Sequence, residues 1–66
     1  METLAEALPR EQKRVREMLK IYDGIPAGRW AAMNMEKSLE RAELAAASGD
    51  VVAMLDAYND LKEYQE

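Results

Sequence analysis

Glu36, Glu40 and Glu43 recur at intervals that place carboxylates along one side of a helix. Paired carboxylates are what general acid–base catalysis or a bridged metal pair requires. Lys37 and Arg41 alternate with them, so the same residues read more simply as a solvated face laced with ion pairs three and four residues apart. The chain has neither cysteine nor histidine. Thiol and Ser-His nucleophiles are therefore missing, and Ser38, Ser48 and Thr3 have no activating partner. The ligands that structural zinc sites and glutamate-histidine di-metal bundles use are missing with them. Gly24 and Gly28 stand before a helix that begins with Arg29, but no strand leads in and no Gly-Lys-Ser/Thr follows, which excludes a phosphate loop. This inventory predicts a non-enzymatic protein without catalytic residues, cofactor or metal.

Two sets of side chains remain that recognise partners rather than transform them. Arg10, Lys13, Arg14, Arg16 and Lys20 form a basic patch interrupted by Glu11 and Glu17, in a chain whose net charge is −4, from 13 acidic and 9 basic residues. The acids gather at the other end: Asp50, Asp56, Asp60, Glu63 and Glu66 face Lys62 alone. The basic run keeps a nucleic-acid-associated regulator as the alternative reading, because two helices joined by a short turn resemble a helix-turn-helix. Phosphate would repel Asp56, Asp60 and Glu63 on the second of those helices, which ranks nucleic acid below protein. The second set is Trp30, Met33 and Leu44, the candidate interface. Tryptophan is enriched at binding hot spots, although in a small bundle a lone tryptophan more often sits in the core or at its edge.

These residues must be positioned by helices. Ala, Leu, Glu, Lys, Arg and Met dominate, and strand signals are nearly absent. Leu8, Val15, Met18, Leu19 and Tyr22 follow one helix face, which predicts a first helix over 9–22 beginning at Pro9, with 1–8 as a loose or kinked arm. Thr3-Leu4-Ala5-Glu6 also matches a capping box, but a helix started there would carry Pro9 in its second turn. The breaker cluster Asp23-Gly24-Ile25-Pro26-Ala27-Gly28 predicts a turn with Ile25 tucked inward. A second helix over 28–47 follows, with Ala32, Met35, Leu39, Ala42 and Ala46 as a stripe of mostly small residues. Ser48, Gly49 and Asp50 then form the structural turn: Gly49 is a left-handed stop and Asp50 the N-cap of a third helix over 51–64. Val51, Met54, Leu55, Tyr58 and Leu61 make that helix's expected face. Leu39 to Tyr64 resembles one helical hairpin of the tetratricopeptide type, over less than half the chain and without most of that repeat's signature. The resemblance implies a hairpin and says nothing about peptide binding.

At 66 residues the chain has room for one all-α domain, a three-helix bundle with a C-terminal helical hairpin. A core of this size yields only about 3–5 kcal/mol without a staple. Cysteine is absent, so disulfides are not that staple. The second helix carries apolar residues on more than one face, which predicts completion by self-association, a homo-oligomer with a dimer favoured, and a larger protein as a further partner. No basic and apolar leader opens the sequence, and no run of about 18 apolar residues would span a membrane. The cysteine-free composition suits the cytoplasm.

Overall fold

Pro9 does not stop the first helix. In the computed structural model, which describes residues 2–65, α1 runs over Leu4–Asp23 with Pro9 inside it. The expected arm over 1–8 is thus helical from Leu4, and Met1, its first residue, lies outside the described residues. Thr3 occupies the N-cap position and its carbonyl receives Glu6 N–H at 3.1 Å and Ala7 N–H at 2.8 Å, while its side chain makes no capping bond. The local rule lost to burial. A proline inside a helix costs about 3 kcal/mol, mainly through the hydrogen bond it cannot donate to the carbonyl four residues back. That carbonyl belongs to Ala5, which is exposed, whereas the extension buries Ala7 and brings Leu8 to 1% exposure. Fully burying a leucine returns about 1.5–3 kcal/mol.

The connector is a single 3-10 turn over Pro26–Gly28, which leads directly into α2 over Arg29–Ser48. Gly28 lies so close to the last turn of α1 that a Cβ there would meet the Tyr22 carbonyl oxygen at 2.7 Å. The approach excludes a larger residue. Ile25 is exposed rather than tucked in, because the 3-10 turn directs it outward from a connector too short to fold back over the core.

The turn after α2 follows turn chemistry closely. Gly49 takes φ +72°, Ser48 Oγ donates to Ala45 O at 2.8 Å, and Asp50 N–H donates back to Ser48 Oγ at 3.1 Å. The Asp50 carboxylate then accepts Val52 N–H at 3.0 Å and Ala53 N–H at 3.3 Å, capping α3 over Val51–Lys62. Orphan donors at a helix start are satisfied by such a cap, which is worth about 1 kcal/mol.

The three helices share one core: Leu8, Val15 and Met18 from α1, Met35, Leu39, Ala42 and Ala45 from α2, and Ala57 and Leu61 from α3. This is an all-α bundle with a C-terminal hairpin. Most of the two expected faces packs inward, Ala32, Met35, Leu39 and Ala42 in α2 and Met54, Tyr58 and Leu61 in α3, and the differences are local. Ala45 replaces Ala46 in the α2 stripe, and α3 turns Ala53 and Ala57 inward, leaving Val51 and Leu55 exposed. Small residues permit closer axial approach than β-branched or long ones, so α3 seats on its alanines.

α3 is also short. With 12 residues against 20 each in α1 and α2, it covers roughly 18 Å of helices about 30 Å long. Just beyond its end, the Tyr64 hydroxyl lies 2.9 Å from Ser38 Oγ near the middle of α2. Past that level the described residues are α1, α2 and the 3-10 turn that packs against both. The molecule measures 36 × 22 × 15 Å, elongated along this hairpin.

Candidate functional site

Successive residues of α2 turn by about 100°, which places Trp30, Met33 and Leu44 within about 60° of arc, on the side away from Met35, Leu39 and Ala42. The three are exposed by 77%, 56% and 67% respectively. Trp30 is not a core residue in the single chain, contrary to the usual place of a lone tryptophan. The reason lies in the fold: α1 and α3 occupy the other side of α2, and α3 ends before it reaches the level of Trp30. Ile21 and Ile25 are exposed at the same end. An indole left in water forfeits the burial that normally retains it.

The basic residues of α1 have a different fate. Arg14 donates through Nη1 to Tyr64 O at 2.6 Å, through Nη2 to Leu61 O at 2.9 Å and through Nε to Glu11 Oε2 at 3.1 Å. It closes the C-terminal end of α3, where unpaired carbonyls and the helix dipole both favour a cation. Glu11, its partner, is itself buried. Arg10 pairs with Glu2 at 2.9 Å, Arg16 with Glu43 at 3.8 Å and Lys20 with Glu17 at 3.5 Å, all largely exposed. Exposed pairs are worth about 0–1 kcal/mol and exchange partners readily. Arg14 alone is committed to the fold, and Lys13 is exposed without an ion pair among the described residues. Among the described residues no ion pair joins α1 to a carboxylate of α3, and the polar contact between them is Arg14 on main-chain carbonyls.

A groove of about 330 Å³ runs between α2 and α3, lined by Arg41, Leu44, Ala45, Ser48, Ala53 and Asp56. It meets the large apolar residues of the outer face of α2 at Leu44, and the Ser48 hydroxyl in its lining is taken up by the Ala45 carbonyl at 2.8 Å. Beside it, Arg41 Nη1 lies 3.5 Å from Asp60 Oδ2, a buried oxygen that accepts no hydrogen bond. Glu36, Glu40 and Glu43 stay exposed, and no group of three or more acidic side chains is placed to hold a metal ion among the described residues. No helix among them is long and apolar enough to cross a membrane.

In comparisons with protein-family models, curated proteins and solved structures, the chain matches none.

Proposed function

We propose that this protein is a non-enzymatic interaction module of the cytoplasm, acting through self-association and through binding a larger protein partner. One observation carries the reading: Trp30, Met33 and Leu44 share a face of α2 that no other part of the chain covers among the described residues. Leaving large side chains in water gains nothing for a monomer, whereas burying them across an interface returns about 25 cal/mol per Å² of apolar area. Trp and Met are also enriched among interface residues.

The nucleic-acid reading loses support from the role of Arg14, since its removal would weaken the fold before it reported on phosphate. Only a salt-sensitive mobility shift that responds to Lys13 and Arg10 would speak for it.

Sedimentation equilibrium tests the main reading. The native chain is expected at about twice the monomer mass at high micromolar concentration, and Trp30→Ala or Met33→Glu should return it toward the monomer with helical circular dichroism retained. A native chain that stays monomeric throughout removes self-association.

A further inference from the structure

The outer face of α2 holds more than its three large apolar residues. Trp30, Met33, Lys37, Glu40, Leu44 and Ala47 follow one another at intervals of 3, 4, 3, 4 and 3, the a and d positions of a heptad repeat, and all six are exposed. The core stripe of the same helix lies on its other side. α2 thus carries two seams, one used within the chain and one unpartnered.

Resting on the self-association reading, we infer that a second copy of this chain covers the seam, with the two α2 helices antiparallel about a two-fold axis at the level of Ser38 and Leu39. In an antiparallel pair each a position meets a d position of the partner helix. That register sets Lys37 opposite Glu40 of the other copy, twice, at the centre. Met33 then meets Leu44 on either side, and Trp30 meets the small Ala47 at the ends, where there is room for an indole. Every residue of the seam finds a complementary one.

Charge decides the orientation. Neither Lys37 nor Glu40 has an ion-pair partner among the described residues. A parallel pair would set Lys37 against Lys37 and Glu40 against Glu40, and like charges facing across a seam disfavour that alignment. The antiparallel arrangement converts both into attractive pairs. Size points the same way: a standard interface takes about 800 Å² from each partner, while a tryptophan supplies about 150–250 Å². The contact must run the length of α2 and cannot rest on Trp30 alone.

Two experiments on the whole chain test the register. Lys37→Glu and Glu40→Lys should each weaken the dimer by about tenfold or more. Mixing the two variants, or placing both changes on one chain, should restore native association. Because the chain has no cysteine, single cysteines report orientation directly. Met33→Cys mixed with Leu44→Cys should oxidise to a mixed disulfide, whereas Leu44→Cys alone should not, its two copies being about 16 Å apart along the pair, against the roughly 7 Å limit for bridged Cα atoms. A dimer in which Leu44→Cys cross-links by itself, or in which the charge swaps fail to complement, overturns this register and leaves self-association standing. A monomeric native chain overturns both. All four positions are exposed in the single chain, and unchanged circular dichroism at dilution separates lost association from lost folding.

Discussion

Replacing Arg14 with lysine would keep the charge but lose the planar fork that reaches the Leu61 and Tyr64 carbonyls together. Hydrogen bonds from a charged group are worth about 1.5–3 kcal/mol when buried, and this side chain is roughly one-third exposed. Arg14→Lys is therefore expected to lower stability by about 1–2 kcal/mol, read as a shift in the urea midpoint. An unchanged midpoint would show that the α3 carbonyls are served equally well by water. This role was not legible in the sequence, where Arg14 is one of five basic residues between positions 10 and 20. Its acceptors lie 47 and 50 residues away, and no local pattern links a guanidinium to a distant helix end. Gly49 is the opposite case. Its left-handed φ and the Asp50 cap are local chemistry, so three adjacent residue types suffice to read the turn.

Among the elements, α1 shows where local reasoning is overruled. Pro9 is a correct breaker signal, yet the helix passes through it because Ala7 and Leu8 are needed in the core. Leu8→Ala should accordingly cost about 2–5 kcal/mol, the range for a buried leucine. Calorimetry should show the melting transition broadened or lost, since this can equal the stability of a domain this small. A change below 1 kcal/mol would mean that the turn ahead of Pro9 adds little to the core. In α3 the pattern holds at Met54, Tyr58 and Leu61 and fails at Val51 and Leu55, because Ala53 and Ala57 allow the closer approach. The large members of the α2 outer face, Trp30, Met33 and Leu44, stood out in the sequence. Glu40 stood out only as one of a row of carboxylates and Ala47 not at all, because a charged and a small residue mark a seam only once the core side of the helix is known.

At the scale of the molecule, the unequal helix lengths divide the bundle into a three-layered half and a two-helix tip. Local opening is easiest where fewest apolar contacts must break. Amide exchange, measured at dilution, should be faster in residues 20–23 and 33–35 than in residues 39–45. Uniform protection along α2 would instead show that the hairpin opens only with the whole domain. Covering the outer face of α2 with a second copy should reduce that difference as concentration rises, since binding to the folded state stabilises it by mass action.

The Arg14 clamp also bears on what happens when the chain is cut. Its acceptors include the Tyr64 carbonyl, so a cleavage between α2 and α3 leaves in place one of the bonds that hold the freed helix against α1. Where α3 then departs, Val15, Met18, Leu39 and Ala42, fully or almost fully buried in the intact fold, lose its cover. A nick at the Gly49 turn is thus converted into a sticky two-helix remnant only as fast as the clamp lets go.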